Sequence, residues 1–116
     1  VFVLFFLFSC NDSSEKPKVS PYAGSWKVVF SGTAYGSGTV FIGSDGDFSF
    51  PVYLTTPYGS ITNTVIGSVS SKGNLKADIF YQNEKVGSAS GRLYENTGNG
   101  IYTTYENSGT WYAERL

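Results

Sequence analysis

The residue best suited to covalent chemistry is Cys10, the only cysteine in the 116-residue chain. It follows an apolar run over residues 1–8 and the small residue Ser9, and residues 11–16 after it are all polar. A single thiol cannot close an internal disulfide. Because the chain has no histidine, Cys10 also lacks the usual partner for a nucleophilic triad or a metal cluster. The chemistry left to it is modification of its thiol.

The segment Leu7-Phe8-Ser9-Cys10 resembles a bacterial lipobox, at which a diacylglyceryl group is attached to the cysteine and the preceding peptide is removed. The apolar run is shorter than the about 20 residues that cross a bilayer, but it suits a signal peptide. The resemblance implies a lipoprotein signal peptide over residues 1–9. We expect this peptide to be truncated at its start, since neither Met nor a basic segment precedes it. A fragment of an uncleaved membrane anchor and an unrelated apolar tail are the alternatives.

A lipidated Cys10 would carry two or more acyl chains, such as palmitate, which is enough for stable membrane attachment. This predicts a protein of the bacterial envelope, anchored to the outer membrane on its periplasmic or cell-surface face. Residues 10–21 contain two prolines and mostly polar residues, with Val19 as the single large apolar one, so they are predicted to form a flexible tether. Residues 22–116 remain for one small domain.

The carboxylates are the remaining candidates for catalysis or metal binding, and most fall in predicted turns or on outward faces. Asp45-Gly46-Asp47 could contribute oxygen ligands to calcium, but two carboxylates without a longer loop pattern favour a plain hairpin. We therefore predict no enzyme, no metal and no cofactor. The formal charge of −1 gives no basic surface for nucleic acid. The other carboxylates considered are Asp78, Glu84, Glu95, Glu106 and Glu114.

Tyrosines are the best candidates for binding, because a tyrosine offers a rigid apolar face with a polar tip. Two of the nine lie in predicted turns and three are predicted to point away from the core. The alternative is cross-strand aromatic pairing on an exposed sheet. The five candidates are Tyr35 and Tyr58 in turns, and Tyr53, Tyr102 and Tyr112 on outward faces.

Arg92 is a further candidate, on a strand rich in small residues. If Gly87, Ala89 and Gly91 face inward, Arg92 is a surface residue. If the register is reversed, Arg92 joins Ser88 and Ser90 in a polar interior suited to an anionic or hydrogen-bonding ligand. The first arrangement is favoured, although register is weakly specified on such a strand.

The body of the chain reads as all-β, because apolar residues alternate with polar ones between regularly spaced turn signals. Eight strands are predicted, including a second at 39–42 after a glycine-rich turn at 34–38 and a seventh at 101–105. Short connections favour sequential antiparallel neighbours. The predicted fold is therefore an eight-stranded antiparallel up-and-down β-barrel, with a β-sandwich as the alternative.

Closure of the barrel would bring three residues of the first and last strands close to one another. Trp26 near the start of the first strand and Arg115 near the end of the last would meet at one end, where a guanidinium can stack on an indole. Gly24-Ser25-Trp26, taken with this late arginine, resembles the opening and closing motifs of lipocalin and avidin-like barrels. The resemblance implies that Trp26 and Arg115 close the barrel structurally, with Trp111 on the closing strand.

These observations predict a lipid-anchored, non-catalytic binding module. Its ligand, small or extended, is expected inside the barrel or at the mouth opposite Trp26 and Arg115, around loops 43–47, 70–74 and 95–100. The alternative is an interaction protein, such as an inhibitor or assembly subunit, that uses exposed tyrosines and has a filled barrel. The predicted partners are the membrane, through the lipid, and an unknown small ligand or envelope protein.

Overall fold

The computed structural model describes residues 19–116. Within this range no helix is long and apolar enough to cross a membrane. The strands are β1 (Gly24–Gly32), β2 (Tyr35–Ile42), β3 (Asp47–Thr56), β4 (Gly59–Val69), β5 (Asn74–Tyr81), β6 (Glu84–Leu93), β7 (Thr97–Thr104) and β8 (Ser108–Arg115).

These strands form a closed up-and-down barrel. Each strand pairs antiparallel with the next, and β1 also pairs with β8, from Trp26 opposite Arg115 to Gly32 opposite Gly109. Closure leaves neither β1 nor β8 as an open edge. The predicted barrel is confirmed, and the sandwich alternative is wrong.

The second strand begins earlier than predicted, because the glycine-rich segment is strand and not turn. Only residues 33–34 separate β1 from β2. Gly36 lies so close to β3 that a Cβ there would overlap the carbonyl oxygen of Tyr53. The glycines of this segment thus allow close pairing of β2 with β3, and Tyr35 starts a strand.

The barrel interior is filled by alternating side chains. Phe48, Phe50, Val52 and Leu54 of β3 are all buried, while the residues between them are exposed. The space left among the core side chains is about 30 Å³, room for little more than water. Within residues 19–116, the interior therefore has no cavity in which a ligand of ordinary size could lie.

The inward face of β6 includes three small residues, Gly87, Ala89 and Gly91, and Trp111 occupies the space they leave. Its indole lies against the backbone of β6 and β7, where a Cβ on Gly91 would approach the ring to 2.5 Å and one on Gly100 to 2.6 Å. Trp111 Nε1–H donates to the Ser90 carbonyl at 3.1 Å. Gly87, Ala89, Gly91 and Leu93 therefore face inward, and the reversed register of β6 is wrong.

The predicted orientation of β7 is also wrong. Tyr102 was expected outside, but only 2% of it is exposed, whereas Ile101 is 59% exposed. Tyr102 stands opposite Ala89 of β6 and Gly109 of β8, two small residues that leave room for its ring. The ring packs edge-to-face on Phe30 at 5.2 Å, and its hydroxyl donates to the Ala34 carbonyl.

Successive loops alternate between the two ends of the barrel. We call the end with loops 43–46, 70–73 and 94–96 the Trp26 end, because β1 begins and β8 finishes there. The opposite end, with loops 33–34, 57–58, 82–83 and 105–107, is called the tyrosine end. The loops predicted to surround the mouth all lie at the Trp26 end, so that placement is wrong. In an up-and-down barrel, successive loops lie at opposite ends. The loops that follow β2, β4 and β6 must therefore lie at the end where β1 begins.

Candidate binding site

The Trp26 end is sealed by Arg115 and by residues 19–23, which precede β1 and which we call the N-terminal segment. The Arg115 guanidinium lies 4.6 Å from the centre of the Trp26 ring, and Trp26 is fully buried. Arg115 donates to the carbonyl oxygens of Glu95, Ala23 and Pro21 at 3.1, 3.0 and 2.8 Å. Its donors thus join the N-terminal segment and the β6–β7 loop to the end of β8.

The N-terminal segment joins the barrel slightly earlier than predicted. The Ser20 amide donates to the Ser44 carbonyl at 2.8 Å, and the Trp26 indole N–H donates to the Tyr22 carbonyl at 2.9 Å. Ser20 and Pro21, assigned to the tether, therefore already contact the barrel. The predicted signal peptide, the lipobox and Cys10 lie outside the described residues.

Trp111 is not part of the seal. It stands opposite Phe30 in the β1–β8 ladder, farther along the barrel than Trp26 and Arg115. Its role is to fill the interior beside the small residues of β6. Of the three residues expected to close the barrel, Trp26 and Arg115 are together and Trp111 is separate.

The predicted binding residues are divided among several surfaces. Tyr35, Tyr53 and Tyr58 are 58%, 64% and 89% exposed near the tyrosine end. Tyr112 is 47% exposed on the outer face of β8, opposite Val29. Arg92 is exposed and donates to Asn74 Oδ1 at 2.9 Å. Tyr102 is buried, so its assignment to a binding surface is wrong.

Two further tyrosines, Tyr81 and Tyr105, belong to the tyrosine end and were missed. Neither is among the five tyrosines predicted from the sequence to bind a ligand. They are 39% and 83% exposed. Because loops alternate between ends, the strand order alone assigns the β5–β6 and β7–β8 connections to the same end as Tyr58.

At the tyrosine end, the wall of the barrel is open between β4 and the β5–β6 hairpin. The β4–β5 ladder runs from Val69 opposite Leu75 to Thr64 opposite Phe80, so residues 59–63 of β4 extend beyond it. The β5–β6 register shifts between Ile79 and Phe80, and this bulge turns Val86 towards the core it packs against. The β5–β6 hairpin therefore stands apart from β4.

A pocket of about 240 Å³ lies at this division. Its lining comes from β4 to β7 and the β7–β8 loop, and includes Asn63, Tyr81, Val86, Tyr105 and Glu106. A shallower groove of about 470 Å³ lies beside it, lined by Tyr53, Ile61 and Tyr81 among others. Tyr81 is shared by the two, so they form one continuous region of the tyrosine end.

Asn63 gives the pocket a buried polar group. It is 2% exposed, and within residues 19–116 its Oδ1 atom has no hydrogen-bond partner. Buried polar groups are nearly always paired, so each exception calls for an explanation. Asn63 has the inward parity of Val65, and an amide at a core position of a strand is the sequence signal that could have identified it.

The electrostatics of the pocket favour hydrogen-bond donors. Glu106 supplies a carboxylate at its exposed side, and within residues 19–116 no lysine or arginine lines it. Lys85, on the neighbouring hairpin, is paired with Asp78 at 3.1 Å on the outer surface. A ligand that offers neutral hydrogen-bond donors, such as hydroxyl groups, would suit these acceptors, whereas an anion would find no positive partner among the described lining residues.

The acidic residues do not gather into a metal site in the described part of the chain, where no group of three or more His, Cys, Asp or Glu could hold an ion. Asp45 Oδ1 accepts a hydrogen bond from the Asp47 amide at 3.0 Å. Gly46 has a φ of 90°, a conformation that suits glycine. These contacts make Asp45-Gly46-Asp47 part of a hairpin turn.

The fold and the site together define an eight-stranded β-barrel with one sealed end and one end that carries a polar pocket among tyrosines. The sequence matches no family model, and no curated protein or solved structure matches it. A function must therefore be argued from the barrel itself.

Proposed function

We propose that this chain is a lipid-anchored, non-catalytic binding module of the bacterial envelope that holds its ligand at the tyrosine end. The observation that carries the proposal is the pocket of about 240 Å³ beside Asn63, Tyr81 and Tyr105, in a barrel whose interior is otherwise filled. Concave sites with apolar walls and a few convergent polar groups are the usual form of ligand sites. The proposed site is therefore at the mouth opposite Trp26 and Arg115, and not inside the barrel, where the space is about 30 Å³.

The anchor is argued from the sequence and agrees with the arrangement of the ends. A lipid on Cys10 would reach the barrel through residues 11–19, and the chain joins it at the Trp26 end through Ser20 and Pro21. Attachment at that end leaves the tyrosine end as the part farther along the barrel from the tether. A ligand could then approach without competing with the membrane.

The anchor is tested by mass spectrometry of the protein isolated from bacterial membranes. We expect residues 1–9 to be absent and Cys10 to carry the mass of its acyl chains. A Cys10→Ser variant should lose both the modification and the association with membranes. An unmodified Cys10 that still follows residues 1–9 would contradict the lipoprotein assignment.

Binding is tested by native mass spectrometry after gentle extraction of the full-length protein. We expect a non-covalent adduct whose occupancy falls in the Tyr81→Ala/Tyr105→Ala double variant. Tyr112→Ala provides the control, because Tyr112 is exposed on β8 away from the pocket. Absence of any adduct, or equal occupancy in all three proteins, would exclude ligand binding at this end.

A second candidate function is protein recognition, as an inhibitor or an assembly subunit. It is favoured by Tyr58, which is 89% exposed at the tip of the β3–β4 turn, with Tyr35 and Tyr53 on the adjoining surface. Exposed tyrosines are frequent anchors of protein interfaces. In this case Tyr58→Ala would abolish co-purification of an envelope protein, while the small-ligand adduct would be absent.

A further inference from the structure

We propose that the pocket accepts a neutral sugar ring, a glycosyl residue that is either free or at the end of a longer glycan. This inference rests on the proposed function and assigns a ligand class to the same site. The first observation that supports it is the size of the pocket. A pocket of about 240 Å³ is below the roughly 300–1,000 Å³ typical of drug-sized ligands, so it suits one ring with the rest of the ligand outside.

The buried amide selects for a neutral hydrogen-bond donor. Asn63 Oδ1 is buried without a partner in the described chain, and a hydroxyl group would satisfy it. An ammonium group could also donate, but burying it here would leave its charge uncompensated, because Glu106 is exposed and a buried ion needs a close counter-charge.

The walls suit the apolar faces of a ring. Tyr81 of β5 and Tyr105 of the β7–β8 loop line the pocket from two separate elements, and Val86 adds an aliphatic surface. The Tyr105 amide donates to the Val86 carbonyl at 3.1 Å, which fixes the loop against β6. A tyrosine ring can cover the C–H face of a sugar while its hydroxyl stays in water.

The charge of the site excludes acidic sugars. Glu106 is the ionisable carboxylate that lines the pocket, and within the described chain no lysine or arginine balances it. A uronic acid or a phosphorylated sugar would have to give up the hydration of its own negative charge in the pocket without a cation to compensate it. Neutral hexoses and N-acetylhexosamines are therefore the expected ligands.

The test is a titration of the full-length, ¹⁵N-labelled protein with glucose, galactose, mannose, N-acetylglucosamine and their disaccharides. The side-chain amide signal of Asn63 is the reporter. We expect saturable shifts of this signal and of the Tyr81 and Tyr105 backbone signals with at least one neutral sugar. Glucuronic acid should cause none.

Three variants separate recognition from folding. Asn63→Leu should abolish binding yet unfold at higher urea concentration, because it removes an unpaired buried polar group. Asn99→Leu, which alters an exposed asparagine on the outer face of β7, should leave binding unchanged. Tyr105→Ala, at a position that is 83% exposed, should weaken binding tenfold or more without lowering the unfolding midpoint.

Two results would overturn the sugar assignment without contradicting the proposed function, which has a separate test. One is the absence of saturable shifts with every sugar tested. The other is a saturable shift of the same signals with n-butylammonium and none with sugars, which would define a cation site. Failure of the proposed function itself would appear separately, as the absence of the native adduct.

Discussion

At the scale of single residues, the buried polar side-chain groups within residues 19–116 divide into those that have a hydrogen-bond partner and one, Asn63 Oδ1, that has none. The indole N–H groups of Trp26 and Trp111 and the hydroxyl of Tyr102 all donate to backbone carbonyls. Asn63 Oδ1 is the exception. The paired groups stabilise the fold, because each would otherwise be buried without a partner. The unpaired one lies where the pocket is, which is why it is assigned to recognition.

Tyr102→Phe should lower the free energy of unfolding by about 1 kcal/mol at neutral pH, because it removes the hydrogen bond to Ala34. Burial raises the pKa of Tyr102 above its ordinary value of 10.0. Ionisation therefore occurs first in the unfolded chain as the pH rises past 10.0, and wild-type stability falls until the folded pKa is passed. The phenylalanine variant has no proton to lose at this position, so its deficit should shrink at high pH.

Urea denaturation at pH 7 and at several values above pH 10 checks this prediction. Tyr112→Phe is the control, since Tyr112 is partly exposed and makes no such contact in the described chain. A difference between wild type and Tyr102→Phe that stays constant with pH would mean that the Tyr102 proton is not linked to folding.

At the scale of elements, strand orientation could be predicted from the sequence where large apolar residues alternate with polar ones. β3 is such a strand, with Phe48 and Phe50 inward. β7 is different, because glycines and threonines leave only Ile101 and Tyr102 to indicate a face. Its orientation depends on Ala89 and Gly109 across the two ladders, and a strand's own sequence does not contain that information. The pocket likewise depends on a register shift in the β5–β6 pair.

Gly100→Ala tests the packing of β7 against Trp111. A Cβ at this position would overlap the Ser90 carbonyl and lie 2.6 Å from Trp111 Nε1. Overpacking of this kind destabilises proteins by about 1–3 kcal/mol. We expect a loss in that range, together with a changed emission spectrum of Trp111 measured in a Trp26→Phe background. Thr103→Ala, on the exposed face of β7, should change stability by much less. Equal effects would contradict the close approach of β7 and Trp111.

At the scale of the whole molecule, the two ends of the barrel have different tasks. The Trp26 end gathers the N-terminal segment, the β6–β7 loop and the last residues of β8 around one arginine. The tyrosine end has a divided wall, a pocket and aromatic side chains exposed to solvent. The strand order determines which loops share an end, so the grouping of the loops at two ends could be predicted from the sequence. The pocket could not be predicted, because it arises where the first residues of β4, 59–63, extend beyond the β4–β5 ladder.

The sealed end should depend on the shape of the arginine as well as on its charge. Arg115 makes three hydrogen bonds to carbonyl oxygens and stacks on Trp26, and a lysine keeps the charge but has neither the planar group nor the same fork of donors. Arg115→Lys should lose one or two of these bonds, and we therefore expect it to lower the free energy of unfolding by about 1–3 kcal/mol. Arg92→Lys is the matched control, because Arg92 is exposed and makes one described side-chain bond, to Asn74. Urea titrations followed by Trp26 emission, in a Trp111→Phe background, measure both variants. If the two substitutions had the same small effect, Arg115 would be a surface residue like Arg92, and the barrel would remain closed through the β1–β8 ladder without it.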